Sequence, residues 1–83
     1  MSELNFAFQP GDALLIIDVQ NDFCPGGALP IVEGDQVVPV LNAWIDAAAG
    51  SGTPVYLSRD WHPKHHPSFA EEGGLWPVHC LQD

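Results

Sequence analysis

The sequence predicts an α/β protein built on a parallel sheet, and three observations carry that expectation. Residues Ala13-Leu14-Leu15-Ile16-Ile17-Asp18-Val19 are apolar on both faces of an extended segment, as in a strand buried within a parallel sheet rather than in a half-exposed hairpin. From Asp35 to about Ala49 the period becomes helical, with Val37, Val38, Leu41, Trp44, Ile45 and Ala48 on one face. A second short apolar run, Val55 to Arg59, then ends at Asp60. Strand, helix, strand is a βαβ unit, expected to be right-handed.

Each element has its own warrant. Residues 1–11 read as an arm with a turn at Pro10-Gly11. The single charge of the first strand, Asp18, sits at its carboxyl end, the edge where open α/β sheets bind ligands. An aspartate there equally serves to cap the turn beyond the strand, and position alone leaves both roles open. The turn residues of Asn21-Asp22-Phe23-Cys24-Pro25-Gly26-Gly27 mark a loop, and no Gly-x-Gly-x-x-Gly opens a helix after it, so it is not a dinucleotide fingerprint. Asp35 is expected to cap the helix, Pro39 is tolerable because it falls near the first turn, and Gly50 or Gly52 ends it. A parallel sheet needs both faces covered. With one amphipathic helix and two strands, these residues are expected to form the first part of a longer fold, or to depend on another chain.

Composition narrows the function. A chain of 83 residues allows at most one small domain, and 46% apolar residues argue for a packed core rather than disorder. Eleven Asp and Glu against Arg59 and Lys64 give a formal net charge of -9, which disfavours nucleic acid and anionic membrane surfaces as partners. No apolar run approaches the length of a membrane span. The N-terminus is acidic where a secretory signal would be basic, so Cys24 and Cys80 are expected as thiols in a cytoplasmic protein.

All four histidines, His62, His65, His66 and His79, fall in the last quarter of the chain. In an extended segment residues two apart face the same side, so Asp60 and His62 can present an oxygen and a nitrogen to one point, and Pro63 keeps His62 extended. His79 lies beyond a loop with Pro67, Gly73, Gly74 and Pro77 that can fold back. One carboxylate and two imidazoles, with positions left over, suit a working zinc, iron or manganese site rather than a closed structural one. Histidines beside prolines are also common in exposed loops, so spacing alone leaves that plainer reading standing.

Three motifs in order carry a resemblance: Leu15-Ile16-Ile17-Asp18-Val19-Gln20-Asn21-Asp22-Phe23-Cys24, then Arg59-Asp60-Trp61-His62-Pro63 with His66-Pro67-Ser68-Phe69, then Trp76-Pro77-Val78-His79-Cys80. From about Ala13 to the end the chain resembles the N-terminal portion of nicotinamidases, within the isochorismatase-like cysteine hydrolases. The resemblance implies a Rossmann-like three-layer fold. Residues 1–83 would be the N-terminal part of one such hydrolase domain, supplying its first strand-helix-strand unit and its metal-binding loop. It further implies that Asp18 is the acid of a Cys-Asp-Lys triad and that Asp60, His62 and His79 hold a divalent metal. Zinc is the first choice, with iron or manganese as alternatives and His66 as a candidate fourth ligand. Phe23 and Trp76 resemble the aromatic walls around a pyridine ring.

The implied reaction converts nicotinamide to nicotinate and ammonia through a cysteine thioester, since an unactivated amide needs a thiolate nucleophile. The family's lysine and nucleophilic cysteine lie downstream of the last motif. Lys64 is in the metal loop, and neither Cys24 nor Cys80 occupies the nucleophile's place, so the 83 residues alone are expected to be inactive as an amidase. The expected partners are a small amide and a missing C-terminal half or companion chain, with a homo-oligomer as a further option. The competing expectations are a non-catalytic metal-binding module, a truncated relic that associates with a homologue, and another isochorismatase-like hydrolase.

Overall fold

The computed structural model describes residues 7–83, which form two compact units. One takes in the chain as far as Val19 together with Gln36–Ser58, and the other comprises Gln20–Asp35 and Arg59–Asp83. The N-terminal part of the arm expected over 1–11 lies outside the described residues; Asp12 N–H donates to the Gln9 carbonyl at 3.0 Å across Pro10-Gly11, closing the expected turn.

The first unit is the βαβ unit. Strands β1 (Leu14–Ile16) and β2 (Val55–Leu57) pair in parallel, with Leu14 opposite Val55, Leu15 opposite Tyr56 and Ile16 opposite Leu57. Both strands are shorter than the apolar runs that announced them, because ladder bonding stops at Ser58 N–H to the Ile16 carbonyl, 3.0 Å. Helix α1 (Val37–Ser51) crosses between them and buries Ala48 completely, while Ile16 is the buried residue of β1. Phe8 meets Trp44 edge-on at 5.9 Å between ring centroids.

Of the expectations for the two ends of α1, the first is corrected and the second is met. Asp35 does not cap it: Asp35 falls inside a short 3-10 turn, Gly34–Gln36, and Gln36 takes the cap position without a side-chain hydrogen bond. Gly50 lies within the helix, and Gly52 ends it at φ 69°, its N–H reaching the carbonyls of Ala48 and Ala49. Only a residue without Cβ adopts that left-handed conformation at no steric cost. Pro39 is the third helical residue, among the first N–H positions that have no intrahelical acceptor, so its missing proton breaks no bond.

One helix against two strands leaves apolar surface uncovered, as the element count predicts. Leu15 is 64% exposed, Ile17 63% and Leu57 72%, although their sequence is that of an interior sheet.

The second unit has almost no regular structure. Its order comes from short turns, Asn21–Phe23 and Ala70–Glu72, and from backbone bonds between distant segments. Phe69 is its fully buried side chain, with His79 and Cys80 also buried. Among the described residues no helix is long and apolar enough to cross a membrane.

Candidate metal centre

The second unit gathers Asp60, His62 and His79. Around Asp60 the backbone is extended, so neighbours two apart share a side. The Arg59 guanidinium lies 4.1 Å from the centroid of the Trp61 ring on one side, while Asp60 and His62 meet on the other. His79 is brought back by main-chain pairing: His62 N–H donates to the Cys80 carbonyl at 2.7 Å, and Gln82 N–H to the His62 carbonyl at 2.8 Å. The intervening loop is tied to itself, with Trp76 N–H on the Ser68 carbonyl at 3.0 Å and Gly74 N–H on the Phe69 carbonyl at 2.8 Å.

The result is one carboxylate between two imidazoles. Asp60 Oδ1 lies 3.1 Å from His62 Nε2, and Oδ2 lies 3.3 Å from His79 Nε2. The three ligand atoms are all within 4.8 Å of one another. Side-chain exposure falls from 30% at Asp60 to 14% at His62 and 5% at His79, so the cluster opens on the carboxylate side.

The other ring nitrogens decide what this geometry needs. His79 Nδ1 is 2.7 Å from the Pro77 carbonyl, and His62 Nδ1 is 3.3 Å from the His79 carbonyl. A carbonyl only accepts, so in the neutral form of each ring Nδ1 carries the proton and the lone pair of Nε2 faces a carboxylate oxygen. Lone pairs facing lone pairs repel. Two extra protons would relieve this by making two imidazolium rings whose centroids are 4.9 Å apart, setting like charges side by side. One divalent cation relieves it without that repulsion, and carbonyl-oriented histidines are the usual support of such ligands. Asp60, His62 and His79 therefore fit a metal.

His66 is oriented differently. The Ser68 N–H donates to His66 Nδ1 at 3.2 Å, which places the proton on Nε2. Its ring packs 4.5 Å from that of His62, centroid to centroid, but it stands outside the trio, and its Nδ1 also lies 2.7 Å from the Ser68 hydroxyl. His65 pairs with Glu72 at 3.0 Å and, with Glu71, makes a second carboxylate-imidazole group on the surface.

The remaining residues singled out by sequence fall in both units. Asp18, in the first, adopts φ 55° at the end of β1 and exchanges two hydrogen bonds with Ser58: its N–H donates to Oγ at 3.1 Å, and the hydroxyl donates to Oδ1 at 2.7 Å. Phe23, in the second, is 5.9 Å from His79 between ring centroids. Trp76 is half exposed and bridges to Phe69 through the backbone.

Sequence reasoning missed Gln20 and Asp22. Gln20 holds both peptide groups of Asp60, accepting its N–H at 2.7 Å and donating to its carbonyl at 2.9 Å, and Asp22 Oδ2 accepts the Cys80 N–H at 2.6 Å. Their partners are 40 and 58 residues away, so no local pattern announces them.

A chain with a βαβ unit and a carboxylate-imidazole cluster describes a class, and comparison gives the family. The isochorismatase domain model matches residues 12–83, and the chain belongs to that family. It is 44% identical to a nicotinamidase of Escherichia coli (strain K12), over 89% of this chain and 42% of the relative, and 33% identical to a nicotinamidase/pyrazinamidase of Mycobacterium tuberculosis, over 83% and 38%. The crystal structure of a pyrazinamidase of Pyrococcus horikoshii in complex with zinc superposes with a TM-score of 0.83 at 49% identity, covering 86% of this chain and 40% of that one. The fold is thus the α/β fold of that structure, and the chain spans about two fifths of the length of the curated relatives it matches.

Proposed function

We propose that these residues form the metal-holding part of a nicotinamidase-type amidohydrolase, which converts nicotinamide to nicotinate and ammonia. The observation that carries this is the Asp60 carboxylate set between two imidazoles whose Nδ1 protons are already committed to carbonyls. Asp60, His62 and His79 would hold the metal, with zinc preferred because the similar pyrazinamidase was solved with it. Bound there, the ion would supply a Lewis-acid position for the ring nitrogen of the amide.

The chain's own residues would do the rest of what is present. Phe23 and Trp76 would flank the pyridine ring. Asp18, steadied by the Ser58 hydroxyl, would take the proton of an attacking thiol. That thiol and a lysine to stabilise the resulting charge would come from outside these 83 residues. Lys64 is exposed, and Cys80 is buried with its Sγ accepting from Gln20 Nε2 at 3.4 Å, an arrangement suited to packing rather than attack. Neither Lys64 nor Cys80 is therefore assigned a place in the triad.

Two measurements test this. Zinc should bind one equivalent per chain and be lost in the His62→Ala, His79→Ala double variant, and failure of the unaltered chain to bind zinc would remove the metal centre. Mixed with the C-terminal segment of a relative, the chain should release ammonia from nicotinamide. Zinc binding without turnover in that mixture would favour a non-catalytic metal module.

A further inference from the structure

The amide of Gln20 makes the two hydrogen bonds that a neighbouring strand would make, and it makes them to the residue that carries the carboxylate ligand. Its Oε1 takes the Asp60 N–H at 2.7 Å and its Nε2 gives to the Asp60 carbonyl at 2.9 Å, while Nε2 also lies 3.4 Å from Cys80 Sγ. One side chain thus touches both segments that bring ligands to the cluster: Asp60 itself and the residue that follows His79.

The second contact falls on one of the few non-glycine residues with a positive φ. Cys80 adopts φ 50°, a left-handed conformation uncommon for a residue with a Cβ. It is held there from three directions, by Gln20 at its sulfur, by Asp22 at its N–H and by His62 at its carbonyl. That turn fixes the direction of His79, whose carbonyl in turn faces His62 Nδ1. Among the described residues no other side chain pairs with both main-chain groups of a member of the cluster.

Resting on the metal-site assignment above, we propose that Gln20 is a positioning residue of the metal centre, setting the orientation of the Asp60 carboxylate through its peptide groups and the path of the chain after His79 through Cys80. A neutral amide suits this role. It supplies acceptor and donor together, and it adds no charge to compete with Asp60 for the cation. Outer-shell partners of metal ligands typically change affinity 10–100-fold when removed.

The test uses the full chain with zinc and with cobalt(II) as a coloured substitute, in Gln20→Glu and Gln20→Ala. Gln20→Glu keeps the size of the side chain and the acceptor for the Asp60 N–H but sets a carboxylate against the Asp60 carbonyl. Both variants should bind zinc about 10–100-fold more weakly and shift the visible cobalt spectrum. Ile16→Ala, which weakens the other unit, should leave the cobalt spectrum unchanged. Melting of the metal-free proteins accompanies each measurement. An unaltered chain that binds no zinc overturns the metal site and this role with it. If that chain binds and the Gln20 variants match it in affinity and spectrum, only the role of Gln20 falls. It falls equally if their affinity drops with the unaltered spectrum retained and only in proportion to lost metal-free stability.

Discussion

A neutral imidazole has one ring proton, and its place decides whether a histidine near a carboxylate is a donor to it or a co-ligand with it. In this chain backbone carbonyls settle the matter for His62 and His79, and a serine N–H settles it the other way for His66. The expected consequence is a sharp contrast among three adjacent rings. His62→Ala and His79→Ala should each weaken zinc by more than the 10–100-fold typical of an outer-shell partner, whereas His66→Ala should cost less than tenfold. Titration against a chromophoric chelator measures all three. Asp60→Asn should behave as the first pair does, since an amide oxygen lacks the charge that draws a cation between two neutral rings.

Among the elements, the loop between His62 and His79 is the most sharply constrained. Phe69 fills its centre, with the rings of His62, His66 and His79 5.4–5.8 Å away between centroids. Phe69→Ala should remove about 3–5 kcal/mol, a loss comparable with the whole stability of a domain this small, and it should be visible as unfolding by near-UV circular dichroism. Gly74 is fixed by space rather than by dihedral angle. A Cβ there would collide with the Ser68 carbonyl, the acceptor of the Trp76 N–H. Gly74→Ala should therefore open the loop and weaken zinc while leaving the helix signal intact. In α1 the corresponding weak point is Gly52, where alanine at φ 69° should cost about 1–2 kcal/mol in a thermal melt.

At the scale of the whole molecule, the apolar strand faces dominate. Leu15, Ile17, Tyr56 and Leu57 are all more than half exposed, although a parallel sheet is stable only with both faces covered. A hydrophobic dye such as ANS should bind the isolated chain strongly and be displaced by a complementary C-terminal segment. By itself the chain should release no ammonia from nicotinamide, and measurable turnover would show that Cys24 or Cys80 acts as a nucleophile after all. The relatives are more than twice as long as the region they share with this chain.

Much of this was legible in the chain. The apolar runs around Ile16 and Val55 and the helical period around Trp44 specify a βαβ unit, because strand and helix periodicities follow from backbone geometry alone. The approach of Asp60 to His62 was equally readable, since alternation along an extended segment is local. The cap of α1 was not: Asp35 is the residue that propensity favours, and a 3-10 turn moved the boundary one residue on, to Gln36. Nor could spacing show that His79 returns to His62 or that Gln20 grips Asp60. Those depend on hydrogen bonds between residues far apart in the chain, and on which carbonyl or N–H meets each ring. Only the folded backbone brings such groups together, so tertiary structure decided the geometry in which His62 and His79, the two rings that the resemblance implies, meet Asp60.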